Sequence, residues 1–403
     1  MKKKILFITK FIPAPAYGGG LKRNFAWIKF LSKYYKVDVI GYWNKDFGNS
    51  KIKELKKYTN NIYGYPFVRT KKTLIKNTLD SFISKEPIIN LQYYNKEIAN
   101  KINQLCTDNQ YDFVFFAEIA TVQYKKHINN IPFYFDDHNV EYELIKRTSE
   151  YETFPMNIML KRESRLMKNV EIQALSESKS NFFVSERDLK AFSCSKKIKK
   201  KSFVVNNTYA NMRNDLAKYS NSPTLMFVGS LSWKPNKHGL IHFIKNIYTE
   251  LYLNTPSIKF NIVGSAINSD IKEYDGKMNI KIYENAEEKL KNKLIDESWI
   301  CVVPVYFGSG TRIKILEYWS HSKTVVSTKL GAEGLPSVKG TFIVDDDAEI
   351  INSIQRLLSN PTRLKKLGEH NYQIFKEKYE EENVYGDTLY STVFTKWLFK
   401  SKK

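Results

Sequence analysis

The stretch 300-ICVVPVYFGSGTRIKILEYWSHSKTVVS-327 carries the reading of the fold. An apolar run, Ile300–Val303, leads through a glycine-rich turn into a helical pattern, Thr311–Ser320, and a second apolar run follows at Thr324–Ser327. Strand, turn, helix and strand in that order make a βαβ unit, which implies a parallel sheet. One detail goes against ordinary helix rules. Arg312 and Lys314 fall in the first turn, where the backbone already presents partial positive charge, and each such cation gives up about 0.3–1 kcal/mol. Gly308, Ser309 and Gly310 are small enough for backbone amides to approach a ligand, and Thr311 is a fair N-cap. The first amides of a helix lack intrahelical acceptors, so a helix start after a strand is an anion site. A docked diphosphate would turn Arg312 and Lys314 into counter-ions. A solvated basic helix start is the competing reading. Glu317, on the second turn, suits the paired hydroxyls of a ribose, or else pairs with Lys314 at i, i+3 for only ~0.2–0.5 kcal/mol.

The same alternation extends in both directions. In the first half, strands are expected at Lys4–Thr9, Val37–Trp43, Phe113–Ala117, Pro132–Asp136 and Asn181–Ser185. Helices are expected at Leu21–Tyr34, Glu141–Arg147 and Lys161–Ser178. A basic run, Ser193–Lys201, follows, and the polar stretch Asn211–Pro223 reads as the linker. The pattern then restarts with strands at Thr224–Val228, Lys259–Val263, Ile280–Tyr283, Ile300–Val303, Thr324–Ser327 and Thr341–Val344. Helices at Gly239–Leu253, Glu287–Asp296, Thr311–Ser320 and Ala348–Leu358 separate them. The expectation is an α/β chain of two Rossmann-like, doubly wound domains, residues 1–205 and 206–378. A C-terminal helix, 379–403, is expected to return to the first domain, a membrane-surface helix being the other reading of its apolar second half. Ligands of such sheets bind at the carboxyl ends of the strands, so a cleft between facing domains is expected.

Composition narrows the classes. The 403 residues are 42% apolar, enough for sizeable cores and unlike a disordered or fibrous chain. Lys plus Arg number 64 against 42 Asp plus Glu, a formal net charge of +22. That excess favours anionic partners such as nucleic acid, an anionic membrane surface or phosphorylated substrates. The three cysteines, Cys106, Cys194 and Cys301, form no CxxC pair, so neither a zinc site nor a disulfide framework is indicated, and a reducing cytoplasm fits. The N-terminal MKKKILFITKFIP resembles a signal peptide at its basic start, but its apolar run is too short and reads as a buried strand. No stretch approaches the ~20 apolar residues of a membrane-spanning helix.

Two further constellations stand at strand-to-helix junctions of the first half. Gly18, Gly19 and Gly20 open the first helix, where three glycines can bring backbone amides to an anion or a reacting sugar. GxGxxG is absent, and the next strand ends in Tyr42-Trp43-Asn44 rather than an acid. A nicotinamide-binding fingerprint is therefore excluded, and with no following Gly-Lys-Ser/Thr so is a P-loop. At the end of the 132–136 strand, Asp136-Asp137-His138-Asn139-Val140-Glu141 invites a metal reading. One histidine with adjacent acids supports it poorly, because neighbouring strand residues face opposite ways. A histidine held by a carboxylate suits hydrogen bonding to a substrate hydroxyl, though an isolated histidine is more often structural.

The segment 302-VVPVYFGSGTRIKILEYWSHSKTVVSTKLGAEGL-335 resembles the donor-site signature of glycosyltransferase family 4, retaining enzymes of the GT-B fold. So do 227-FVGSLSWKPNKHGLIHFI-244, 136-DDHNVE-141 and 182-FFVSERD-188. The resemblance implies transfer of a sugar from a nucleoside diphosphate, UDP or GDP, to a hydroxyl in cell-surface polysaccharide or glycoconjugate synthesis. It implies that Glu317 binds the nucleotide ribose. The family's other glutamate falls on Ser309, so backbone amides about Gly310 and Thr311 would take over the sugar contact. The family's arginine and lysine after the Phe227–Gly229 strand fall on Ser230 and Asn236, with Lys234 and Lys237 close in register. Arg312 and Lys314 would supply the missing charge. By the same resemblance Gly18–Gly20 faces the donor, Gly229 ends the donor strand, and His138 lies near the reacting sugar. Glu333 lines the nucleotide pocket, and Glu141 closes the matching first-half stretch.

No metal or other cofactor is implied, since arginine and lysine carry the charge. The acceptor would be a glycan, free, lipid-linked or protein-linked. The enzyme would work in the cytoplasm, with contact at the anionic inner face of the membrane. Two other readings remain: a nucleotide-sugar epimerase of the same fold, and a basic nucleic-acid-binding protein. The latter lacks any recognised module.

Overall fold

The computed structural model describes residues 2–14, 18–43, 49–210, 212, 219–308 and 313–395. The chain divides into two compact units, Met1–Asn207 with Tyr385–Lys403, and Thr208–Val384.

The first unit is built on seven parallel strands: β1 (Lys3–Phe11), β2 (Tyr35–Tyr42), β3 (Asn61–Tyr65), β4 (Phe113–Ala117), β5 (Phe133–Asp137), β6 (Ser180–Phe183) and β7 (Ser202–Val204). Their order is β3-β2-β1-β4-β5-β6-β7. The inner strands are almost continuously apolar, FVFFA in β4 being the extreme, because helices cover both faces of the sheet. Register aligns the strand ends that matter. Thr9 stands opposite Ala117, and Ala117 opposite Asp136, so Glu118 and His138 leave the sheet at the same carboxyl edge. The first helix, Gly19–Ser32, buries Trp27, Ile28, Phe30 and Leu31. The Trp27 ring lies 5.0 Å from Phe115 and 4.8 Å from Phe182.

The second unit has six parallel strands: β8 (Thr224–Ser230), β9 (Lys259–Ser265), β10 (Ile280–Glu284), β11 (Ile300–Val303), β12 (Thr324–Ser327) and β13 (Thr341–Ile343). Their order is β10-β9-β8-β11-β12-β13, with β8 and β11 at the centre. Helix Lys234–His242 begins five residues before the expected Gly239, with Pro235 in its first turn, where a missing N–H costs nothing. A π-helical stretch, Phe243–Tyr248, continues it into Thr249–Asn254.

The basic run 193–201 belongs to the first unit. Ser195 caps a single turn, Lys196–Lys199, whose Ile198 is buried. Lys201 donates to the carbonyls of Ser176 and Ser178, at the end of helix Met156–Glu177, and burial beside Lys197 lowers its pKa to about 8. That lysine is thus engaged in a helix terminus, which weakens the run as a nucleic-acid patch. Most of 211–218 lies outside the described residues.

From Tyr385 the tail packs on the first unit as the short helix Asp387–Tyr390 and a π turn, Ser391–Thr395. Tyr385 meets Trp27 with ring centroids 5.1 Å apart, Tyr390 stacks on Tyr34 at 3.6 Å, and Phe394 is buried against Phe113 and Tyr134. Tyr385 and Phe394 are therefore part of the protein interior, with Tyr390 half-buried beside them. Residues 396–403 lie outside the described residues.

Candidate functional site

In the second unit the carboxyl end of β8 gathers three of the sequence-derived candidates. Gly229 has no side chain, and Asn236 and Lys314 fill the space above it. The Lys314 ammonium donates to Asn236 Oδ1 at 2.8 Å and lies 4.6 Å from the centre of the Phe227 ring. The Asn236 amide donates to the Ser230 carbonyl at 2.9 Å, which fixes which end of the side chain faces Lys314. A Cβ on Gly229 would come within 2.8 Å of Asn236 Nδ2 and 2.9 Å of Lys314 Nζ. Close approach, rather than backbone conformation, therefore explains this glycine. Gly239 lets helix Lys234–His242 press on the Pro304 carbonyl, only 1.6 Å from where its Cβ would be. The rings of His238 and His242 pack on Phe307 and Tyr306, just before the glycine-rich turn. Ser309, Gly310, Thr311 and Arg312 of that turn lie outside the described residues. The described helix runs Ile313–Ser320.

Glu317 is buried on this helix. Its Oε1 accepts from Tyr209 Oη at 2.5 Å and pairs with Lys291 Nζ at 2.5 Å. Lys291, on helix Glu288–Glu297, also meets Glu288 at 2.6 Å. Burial and the Glu317 carboxylate both push the Tyr209 phenol well above its ordinary pKa. Burial would lower the Lys291 pKa, but Glu317 and Glu288 outweigh it and hold the ammonium charged. The sequence reading names Glu317 but not its partners Tyr209 and Lys291, because partners drawn from other elements leave no local pattern. Lys237 pairs with Asp270 at 2.8 Å on the surface. Glu333 sits in the turn after β12, its N–H bonded to the Leu330 carbonyl at 3.3 Å.

In the first unit the carboxyl edges of β4 and β5 carry a buried ionic array. Asp136 is fully buried and receives Arg23 as a fork, Nε at 2.8 Å and a terminal nitrogen at 2.5 Å. Arg23 also donates to the Val205 carbonyl at 2.7 Å. His138 Nε2 lies 2.9 Å from the same Asp136 carboxylate. Burial alone would raise the Asp136 pKa, but Arg23 and then His138 hold it below its ordinary value. An ionised Asp136 accepts the Nε2–H, and Nδ1 is the other face of the ring. That face looks onto Gly20, where a Cβ would come within 3.3 Å of Nδ1. Gly18 adopts φ 83, a conformation that L side chains rarely adopt, and helix Gly19–Ser32 starts directly after it. His138 is thus held by a carboxylate beside a helix start with amides to spare.

Lys10 and Glu118 pair at 2.6 Å on the same edge, and Asn24 donates to Glu118 at 3.3 Å. Glu141 opens helix Glu141–Glu150, and the Glu171 carboxylate accepts from the Glu141 and Tyr142 N–H groups at 2.6 and 3.1 Å. Burial raises the Glu141 pKa. Asp137 points the other way from Asp136. Among the described residues neither of its oxygens has a hydrogen-bond partner, and burial together with Glu171 pushes its pKa well up. Among the described residues no group of three or more His, Cys, Asp and Glu is placed to hold a metal ion. No helix among them is long and apolar enough to cross a membrane.

Two all-parallel α/β units, with candidate residues gathered at strand carboxyl ends, define the GT-B architecture of glycosyltransferases. Sucrose-phosphate synthase of Thermosynechococcus elongatus superposes with a TM-score of 0.69 at 12% identity, over 99% of this chain and all of that one. HepE of Anabaena, solved in complex with UDP, gives 0.64 at 12% identity over 97% of this chain and all of that one. A mutant of Staphylococcus aureus TarM, solved with Fondaparinux, alpha-GlcNAc-glycerol and UDP, gives 0.66 at 11% identity over 96% and 99% of the two chains. At these identities the likeness shows the fold.

Residues 222–360, within the second unit, match the family described as Glycosyl transferases group 1. A protein of Klebsiella pneumoniae, described as an uncharacterized 44.6 kDa protein in the cps region, is 26% identical over 170 residues. That match spans 40% of this chain and 44% of the relative.

Proposed function

We propose that the chain is a retaining glycosyltransferase of family 4 type. It would move a sugar from a nucleoside diphosphate onto a hydroxyl acceptor in the synthesis of a cell-surface glycan. The observation that carries the reading is the meeting of Gly229, Asn236 and Lys314 at the end of β8, inside the region that matches group 1 glycosyltransferases. A cation held by a neutral amide and packed close over a glycine at the strand end suits a diphosphate. Arg312 and the amides about Gly310 and Thr311 would complete the cradle, and Glu317 would accept from the ribose hydroxyls. Glu333 would line the nucleotide pocket. UDP is the favoured nucleotide because HepE and TarM were solved with it, with GDP next.

As the glycosidic bond breaks, negative charge grows on the leaving phosphate. Fixed positive groups there stabilise the transition state more than the ground state. Loss of one such donor costs about 10²–10³ in rate. No enzymatic nucleophile is assigned: the departing phosphate takes the acceptor proton from the face it leaves, so the anomeric configuration is kept. His138, oriented by Asp136, would hydrogen-bond a hydroxyl of the reacting sugar through Nδ1, with Gly18–Gly20 beside it. The reading assigns no metal, because Lys314 and Arg312 supply the charge. It places the enzyme in the cytoplasm, drawn by its net charge to anionic lipid and a glycan acceptor carried there. The cps-region relative fits a cell-surface product.

Purified protein incubated with UDP- and GDP-sugars, with and without membrane lipid extract, tests the reading. Acceptor-dependent release of nucleotide with an anomerically retained product supports it. Interconversion of donor sugars without acceptor would make the chain an epimerase instead.

A further inference from the structure

Helix Lys71–Ser84, in the first unit, is packed the wrong way round for a soluble protein. It turns Asn77, Thr78, Asp80 and Ser81 toward its neighbours and leaves the apolar side chains outside. Ile75, Leu79 and Ile83 are 63%, 61% and 84% exposed, and Phe82 is exposed with them. These positions share one side of a 3.6-residue period. The inward contacts are polar and specific: Ser81 is fully buried, and Arg162 donates to its Oγ at 2.9 Å and its carbonyl at 2.6 Å. The orientation is therefore held by hydrogen bonds rather than by burial of the apolar face.

The patch continues beyond the helix. The Arg162 guanidinium lies 4.3 Å over the Phe82 ring, and Ile158, one turn earlier on the same face of helix Met156–Glu177, is exposed, as is Phe154 before it. An apolar surface of this extent marks an interaction site. Its border supplies the second observation. Residues 69–85, RTKKTLIKNTLDSFISK, hold five cations and one acid, the half-buried Asp80.

We propose that this face is an interfacial membrane anchor. Leu79, Phe82 and Ile83 enter the boundary between headgroups and acyl chains of an anionic bilayer, and the surrounding lysines meet lipid phosphates. Charge decides between this partner and a second copy of the chain. A two-fold interface would set the cationic border against itself, whereas an anionic lipid surface neutralises it. A cavity of about 290 Å³ lies beside the helix, between Tyr42 at the end of β2 and Leu74 and Asn77, with Arg69 in its wall. Seated at the membrane, the helix would hold this cavity at headgroup level, where a lipid-linked acceptor presents its polar end. That last consequence rests on the transferase reading. The anchor itself does not.

The test is flotation of the full chain with vesicles of phosphatidylglycerol and phosphatidylcholine, and of phosphatidylcholine alone, at low and high salt. The variants are Leu79→Glu with Ile83→Glu, and Leu253→Glu as an exposed apolar control in the second unit. Wild type and L253E are expected to bind anionic vesicles, less at high salt and less without phosphatidylglycerol. The double variant should bind about tenfold or more weakly, since each lost Leu or Ile contact is worth at least that. UDP binding, read on the same samples by thermal shift, should be equal in all three. Wild-type flotation of L79E/I83E overturns the proposal. So does a wild-type dimer in sedimentation that the double variant dissolves. A chain that floats but binds no nucleotide would sink the transferase reading and leave the anchor standing.

Discussion

Replacement of Gly229 by alanine tests the phosphate reading at the end of β8. The new Cβ would stand 2.8 Å from Asn236 Nδ2 and 2.9 Å from Lys314 Nζ, where ordinary contact begins at 3.4 Å. Those two atoms end movable side chains and can retreat by about half an ångström, while the buried Phe227 ring, 3.2 Å from the new Cβ, must give by a few tenths. What is lost is the alignment of Lys314 on Asn236 and of Asn236 on the Ser230 carbonyl. In the empty protein that is about two hydrogen bonds, on the order of 1–3 kcal/mol. For a bound diphosphate the loss is a charge-assisted contact worth about 1.5–3 kcal/mol, hence about 10–150-fold in Kd. Titration calorimetry with UDP on wild type, Gly229→Ala, Lys314→Met and the double variant measures it. If both changes act through one ammonium, the double variant loses little more than Lys314→Met alone. Wild-type UDP affinity in Gly229→Ala, or fully additive losses in the double variant, would refute the assignment of this corner to the diphosphate.

Other outcomes follow from the buried carboxylates. Glu317→Gln should keep the fold, because Lys291 retains Glu288. Its discrimination between UDP and 2′,3′-dideoxy-UDP should fall by about 10–150-fold, as for lost hydrogen bonds to a charge. Asp136→Asn removes the carboxylate from a buried Arg23 and should destabilise the protein by about 3–5 kcal/mol in urea titrations. His138→Ala should fold normally and lower kcat more than donor affinity; equal losses would make His138 a binding residue. Asp137, raised by burial and Glu171, binds its proton more tightly folded than unfolded, so its penalty is absent below the unfolded carboxyl range and grows as pH rises above it. Asp137→Asn should therefore raise Tm more at pH 8 than at pH 5. A uniform shift would show that the carboxyl is not the source.

Legibility followed the burial pattern. Strands β4, β11 and β12 appear where the sequence puts them, because a strand covered on both faces is a continuous apolar run bounded by turns. The edge strands β3 and β7 went unread. Asn61-Ile62-Tyr63-Gly64-Tyr65 is only partly buried and pairs on one side, and Ser202–Val204 hides behind a basic run. At the sites, Gly229, Asn236 and Lys314 were named from separate motifs, and the fold brings them within contact. Arg23, Tyr209 and Lys291 were not named, and they hold Asp136 and Glu317.

The amino-acid order by itself determined two parallel α/β units and the strand ends at which chemistry gathers, because periodicity and glycine turns are local properties of the chain. Tertiary structure alone decided which charges meet. It set Arg23 on the Asp136 carboxylate, Lys291 on that of Glu317, and the apolar face of helix Lys71–Ser84 outward. Electrostatic pairing and burial depend on distance in space, and residues as far apart in sequence as Arg23 and Asp136 come together only when the sheet closes its register.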